Sequence, residues 1–134
     1  MNSHFSFEVD RRRDLVKIRM SGLFSQADIE AFIEARHQAH AKLNCPPNAH
    51  VTLNDVTGML IQPQETVAAF QAMLAAPEYR SRRLAFIVPP TLARNQLMRA
   101  LASRGEGRCF EDPEEAEAWL FQEDEIPLQR RRTA

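Results

Sequence analysis

The chain has 134 residues and a mass of 15.3 kDa, which is near the commonest size of a single domain. Hydrophobic residues make up 44% and charged residues 26%, a composition that supports a folded core and excludes the disordered class. With 17 basic and 18 acidic residues the net charge is -1, which argues against nucleic acid or an anionic membrane as a partner.

The cysteine content and the N-terminus predict the cellular compartment. Cys45 and Cys109 match neither a disulfide framework nor a C-x-x-C spacing, so we expect reduced thiols. The first residues lack the basic and apolar regions of a signal peptide, and no apolar run approaches the ~18 residues of a membrane span. We therefore expect a cytoplasmic protein with no stable membrane insertion.

The N-terminal segment predicts an antiparallel hairpin. Apolar and polar residues alternate over 5–9 and again over 15–20, and the charged segment 10–14 separates the two stretches. In the second stretch the apolar side chains would face a core, whereas Lys17 and Arg19 would face outward. A sheet covered on one side only is expected here.

A helix is predicted next, because Ser25 and Asp28 have the spacing of a capping box. Apolar residues recur at helical spacing as far as Leu43, and the prolines at 46–47 end the helix. Residues 50–54 then alternate as a third strand with one polar face.

The second half of the chain predicts further alternation of helices and strands. Residues 55–58 are interpreted as a turn, and Pro63 opens a second helix that ends before Pro77. Residues 84–88 are apolar throughout, which indicates a strand buried on both faces and is interpreted as the central strand. A third helix is predicted after Thr91.

The end of the chain predicts a short strand and a last helix. Residues 108–110 form the strand, and Asp112 followed by Pro113 has the pattern of an N-cap and first helical residue. The order β-β-α-β-α-β-α-β-α predicts an α/β fold with a mixed, mostly parallel sheet after an N-terminal antiparallel hairpin. We interpret 1–122 as one domain and 123–134 as a charged tail.

This order resembles the SpoIIAA-like, or STAS-type, domains of anti-sigma-factor antagonists, including a bacterial STAS/SEC14-like branch. The resemblance lies in segments 20–22, 53–58, 83–88 and 110–120, which are specific for fold rather than for chemistry. It implies a regulatory domain that contacts proteins. Such antagonists carry a phosphorylated serine where the helix after the third strand begins; here 61–66 reads Ile-Gln-Pro-Gln-Glu-Thr, so the phosphorylation is not carried over.

Two groups of residues are predicted to bind a ligand or partner. Asp55 and Thr57 follow a strand, where α/β proteins often place ligand contacts, although an Asx-type turn would explain them equally. Arg83 and Arg94 flank the buried strand and could attract an anion near the helix N-terminus at Thr91. A solvated face paired with acidic residues is the alternative.

The remaining reactive residues do not predict a metal, a cofactor or an active site. His37 and His40 share a helix face but have no third ligand in view, and Cys109 has no paired base. No metal and no cofactor are expected, and we interpret the chain as not an enzyme.

Two functions remain open from the sequence. The first is a non-enzymatic regulatory module that acts through protein contacts, with a protein partner or itself as a homodimer. The alternative is a carrier or sensor of a small amphiphile such as a lipid, in which 59–61, Phe70 and Met73 line a pocket. A loop that folds back over the core would explain 59–61 without a ligand.

Overall fold

The structure contains one five-stranded mixed sheet with helices on both of its faces. It is a computed structural model that describes residues 2–76, 80–88 and 107–122. The strands are β1 (His4–Asp10), β2 (Leu15–Gly22), β3 (Val51–Met59), β4 (Arg83–Ile87) and β5 (Gly107–Phe110). The helices of the described part are α1 (Gln26–Ala41), α2 (Gln64–Ala75) and α3 (Pro113–Leu120).

The strands follow one another across the sheet in the order β1-β2-β3-β4-β5. β1 pairs antiparallel with β2, and every later pair is parallel. The predicted fold class, a mostly parallel mixed sheet after an antiparallel hairpin, is therefore confirmed. The helix predicted after Thr91 lies outside the described residues.

The helix starts agree with the predicted caps. The Ser25 Oγ accepts from the Asp28 N–H at 3.2 Å, and the Ser25 N–H donates to the Asp28 carboxylate at 2.8 Å. Hydrogen bonds from the Ser25 backbone N–H and the Ser25 hydroxyl to the carboxylate lower the pKa of Asp28, since they favour its ionised form. At α3 the Asp112 carboxylate accepts from the Glu114 N–H at 3.0 Å. Both signals are local, so they could be predicted without tertiary information.

The larger apolar cluster lies between the sheet and the helices α1 and α2. We call it the main cluster; its buried members are Val16, Ile18, Met20, Phe24, Ile29, Phe32, Val56, Met73, Leu84, Phe86 and Val88. Phenylalanine rings dominate one end, where Phe32 lies 5.1 Å from Phe7 and 6.5 Å from Phe70 between ring centroids. Such edge and tilted contacts add to the stability that burial alone provides.

The opposite face of the sheet carries a smaller apolar cluster beneath α3. We call it the second cluster; it contains Leu15, Val51, Leu53, Ala85, Ile87, Ala116 and Leu120. α3 packs against β3, β4 and β5. The prediction that 84–88 are buried on both faces is confirmed. Its interpretation as the central strand is wrong, because β3 occupies the middle of the sheet and β4 lies between β3 and β5.

β3 differs from its prediction in two respects. Residues 55–58 belong to the strand and not to a turn, because they continue to pair with β2 after a register shift between Arg19 and Ser21. The polar residues Thr52 and Asn54 are buried, and their strand partners belong to the main cluster. The polar face of this strand therefore points into the protein rather than to solvent.

Candidate functional site

Asp55 and Thr57 lie on the carboxyl half of β3, where the sequence placed a binding site. The Asp55 carboxylate accepts from the Thr57 N–H at 3.0 Å and from the Thr57 hydroxyl at 2.7 Å. Its other oxygen is 3.8 Å from the Nε of Arg19, a distance typical of a weak surface ion pair. These are the local side-chain bonds that the Asx-type alternative expected, although the backbone here is a strand, and Thr57 is exposed.

Gly22, at the end of β2, allows the N-terminal segment to lie very close to the β2 backbone. Gly22 has a φ of 82°, in the left-handed region, and a side chain there would collide with the backbone carbonyl of Asn2. The segment before β1 therefore lies directly against the backbone at the end of β2. The Gly22 carbonyl is left facing the segment that follows β3.

The buried side chain of Gln62 fixes that segment. Its Nε2 donates to the carbonyl oxygens of Gly22 at 2.9 Å and Leu60 at 2.5 Å, and its Oε1 accepts from the Phe24 N–H at 3.0 Å. The Leu60 N–H also donates to the Gly22 carbonyl. A polar side chain whose donors and acceptor are satisfied in the interior holds its neighbours in one arrangement.

The fixed segment presents two aliphatic side chains to solvent. Leu60 is 37% exposed and Ile61 is 52% exposed, whereas Met59 packs against the main cluster. We call Leu60 and Ile61 the apolar tip. The expectation that the whole loop folds back over the core holds for Met59 only, because the Gln62 bonds turn the next two side chains outward.

The only hydroxyl of 61–66, on Thr66, is directed into the protein. Thr66 is buried, and its hydroxyl donates to the Phe24 carbonyl at 3.2 Å. The N-terminus of α2 therefore exposes no hydroxyl within this stretch.

Arg83 lies at the opposite end of the sheet from Asp55. It pairs with Val51 at the start of β3, whereas Asp55 pairs with Ile87 at the end of β4. Its guanidinium donates to the Trp119 carbonyl and lies 5.1 Å from the Trp119 ring centre. Burial, followed by the charge of Arg82, lowers the Arg83 pKa. Arg83 therefore caps the end of α3, and Arg94 lies outside the described residues.

A buried polar network that the sequence did not reveal joins α1 to the start of β3. The His40 Nδ1 bonds to the Arg36 carbonyl at 2.8 Å, and the His40 Nε2 lies 3.2 Å from the His50 Nε2. The Ser81 hydroxyl lies 3.3 Å from the same His50 nitrogen and 2.6 Å from the Thr52 hydroxyl. The sequence signal was present in the polar positions of β3, which were interpreted only as one polar face of the strand.

This network brings a serine and a histidine together, although the sequence suggested no such pair. His50 is 3% exposed and Ser81 is 6% exposed, so a substrate could not reach the hydroxyl without opening the core. The arrangement is therefore suited to holding α1 against the sheet. Within the described ranges no group of three or more His, Cys, Asp or Glu side chains is placed to hold a metal ion.

The residues of the predicted amphiphile pocket differ in their surroundings. Met73 is buried in the main cluster, and Met59 and Phe70 pack against that cluster, whereas Leu60 and Ile61 face solvent. Across the described part of the chain, no helix has the length and apolar character needed to cross a membrane.

Comparison with solved structures identifies the fold. An uncharacterized protein of the DUF3478 family from Shewanella loihica PV-4, described as having a SpoIIAA-like fold, matches with a TM-score of 0.69 and 20% identity over 90% of this chain and 96% of that one. An anti-sigma factor antagonist from Mycobacterium paratuberculosis matches with a TM-score of 0.59 and 11% identity over 89% and 96%. No family model and no curated protein matches the sequence. The chain has the SpoIIAA-like fold that the sequence predicted.

Proposed function

We propose that this SpoIIAA-like domain is a non-enzymatic regulatory module that binds a protein partner through the apolar tip. The observation that supports the proposal most directly is that Leu60 and Ile61 are exposed on a segment that Gln62 holds by bonds to three backbone groups. A preorganised apolar surface loses little conformational entropy when a partner covers it.

The surroundings of the tip are suited to a protein interface. Asp55 and Thr57 lie on β3, the strand that leads to the tip, and would add polar groups to an interface that extends along this strand. Interfaces commonly combine an apolar centre with a polar rim. One solved structure of this fold is an anti-sigma factor antagonist, a description that also favours a protein partner.

The amphiphile carrier has weaker support. Three of the five residues that would line its pocket, Met59, Phe70 and Met73, contribute to or pack against the main cluster. They stabilise the core in the absence of any ligand.

Site-specific photo-crosslinking would identify the partner. A photoreactive phenylalanine replaces Ile61, and in a matched control it replaces Glu34, which is exposed on α1. Both variants are expressed in the organism that carries the gene. We expect a protein crosslinked from position 61 and absent from position 34. Identical crosslinked proteins from both positions would contradict the proposal.

The affinity of the purified partner for variants of this chain then tests whether the tip belongs to the interface. Burial of an isoleucine contributes about 1.5–3 kcal/mol, so Ile61→Asp should weaken binding by at least about tenfold. Glu34→Ala should leave the dissociation constant unchanged. Isothermal titration calorimetry measures both, and equal affinities for Ile61→Asp and the wild type would remove the tip from the interface.

A further inference from the structure

The outer edge of β1 is open in the described structure. β1 is the first strand of the sheet, and among the described residues only β2 pairs with it. An edge strand offers a row of unpaired backbone N–H and C=O groups to another strand. β1 is 7 residues long and contains no proline, glycine or lysine that would block such pairing.

A groove runs beside this open edge. It has a volume of about 270 Å³ and lies between β1 and α1, with Phe5, Phe7 and Val9 from the strand and Ala35 and Ala39 from the helix in its lining. The three β1 side chains are half-buried. Their apolar surface is thus incompletely covered beside an unpaired backbone edge.

We propose that β1 pairs antiparallel with β1 of a second copy of this chain, with the two-fold axis at Phe7. In this register Phe5 lies opposite the partner's Val9, so apolar side chains meet on the helix-covered face. On the other face Ser6 lies opposite the partner's Glu8, and His4 lies opposite the partner's Asp10. The two five-stranded sheets then form one continuous sheet.

The charges and the length of β1 favour this register and favour a second copy of the chain as the pairing strand. The strand begins with His4 and ends with Asp10, whose carboxylate also pairs with Arg13 of its own chain, so an antiparallel second copy places an imidazole near a carboxylate at both ends. An axis at Glu8 would place two carboxylates opposite each other, and an axis at Ser6 would pair residues 4–8 alone. The axis at Phe7 pairs every residue of the strand and avoids like charges.

Disulfide crosslinking tests the register. Opposed residues of antiparallel strands have Cα atoms about 4.5–5.5 Å apart, within the range that a disulfide spans. Ser6→Cys mixed with Glu8→Cys should give a crosslinked heterodimer under mild oxidation, with the linked peptides identified by mass spectrometry. Neither variant alone should crosslink through the introduced cysteine. A 6–6 or 8–8 disulfide in place of the 6–8 disulfide would overturn the proposed register.

Two substitutions of Ser6 separate dimerisation from folding. Ser6→Asp places a carboxylate opposite the partner's Glu8 but opposite Arg19 of its own β2, so it should weaken the dimer by about tenfold without destabilising the fold. Ser6→Lys reverses both interactions and should retain the dimer. Sedimentation equilibrium measures the dimer, and urea unfolding measures the fold.

The proposal is overturned if the wild-type chain sediments as a monomer at about 100 µM, or if Ser6→Asp and Ser6→Lys dimerise equally. It is independent of the apolar tip, which lies on the segment after β3. Ile61→Asp should leave the dimer intact, and Ser6→Asp should leave the tip available to its partner.

Discussion

Among the described residues, the two faces of the sheet differ in how completely they are covered. The face beneath α1 and α2 buries the main cluster together with the network of His40, His50, Ser81 and Thr52. On the other face α3 packs over β3–β5, while Lys17 is half-buried and Arg19 is exposed on β2. The two sides of β2 therefore face different surroundings: Val16, Ile18 and Met20 are buried in the main cluster, whereas Lys17 and Arg19 on the other side are partly or largely exposed.

Removal of a buried side chain should cause the largest change in the free energy of unfolding. One such substitution in each cluster compares the two clusters directly. Phe32→Ala removes a ring from the main cluster and should destabilise the fold by about 3–5 kcal/mol. Leu120→Ala removes an α3 side chain from the second cluster and should cost about 2–5 kcal/mol. Urea unfolding gives both values. A loss below about 1 kcal/mol for Leu120→Ala would mean that α3 is not integral to the fold.

Lowering the pH should reduce the stability of the fold through the histidine network. Burial lowers the pKa of His40 in the folded state below its unfolded value of 6.5. The unfolded chain therefore binds this proton first, and stability is lost as the pH falls below about 6.5, by at most about 1.4 kcal/mol per pH unit.

Unfolding in urea at about pH 7.5 and 5.5 measures this loss, in a range well above the carboxylate pKa values. His40→Gln should reduce the difference between the two pH values, whereas His37→Gln, at an exposed position of the same helix, should retain it. An unchanged pH dependence in His40→Gln would show that the titrating group lies elsewhere.

The smallest change in stability is expected from a substitution on the side of β2 that carries Lys17 and Arg19. The Arg19 side chain is 75% exposed and its Nε lies 3.8 Å from Asp55, so Arg19→Ala should change stability by less than about 0.5 kcal/mol. Thermal and urea unfolding measure the change. A loss above about 1 kcal/mol would show that this side of the sheet is covered, which would remove the contrast between the faces.

Local signals in the sequence predicted much of the fold. Ser25 and Asp28 defined the start of α1, and Asp112 with Pro113 defined the start of α3, since an N-cap involves only residues one turn apart. The turn expected at 55–58 was wrong because pairing with β2 outweighs the turn preference of Asp and Gly. Strand pairing is a non-local interaction, so one segment cannot reveal it.

The candidate site was predicted only in part. Asp55 and Thr57 lie on the strand that leads to the apolar tip, but the structure places Arg83 at the other end of the sheet, where it contacts Trp119. The role of Gln62 could not be predicted, because its partners are the backbone groups of Gly22, Phe24 and Leu60. A glutamine in an apolar loop carries no sign of which distant groups it will reach.

The sequence by itself determined the fold class, the alternation of strands and helices, and both helix caps, because periodicity and capping depend on neighbouring residues. Only the tertiary structure decided which polar residues are buried and which apolar ones are exposed. Thr52 and His50 are enclosed because the covering helix and the segment before β4 bring His40 and Ser81 to them. Leu60 and Ile61 are exposed because Gln62 binds across to the end of β2. Each outcome depends on partners far away along the chain, which only folding brings together.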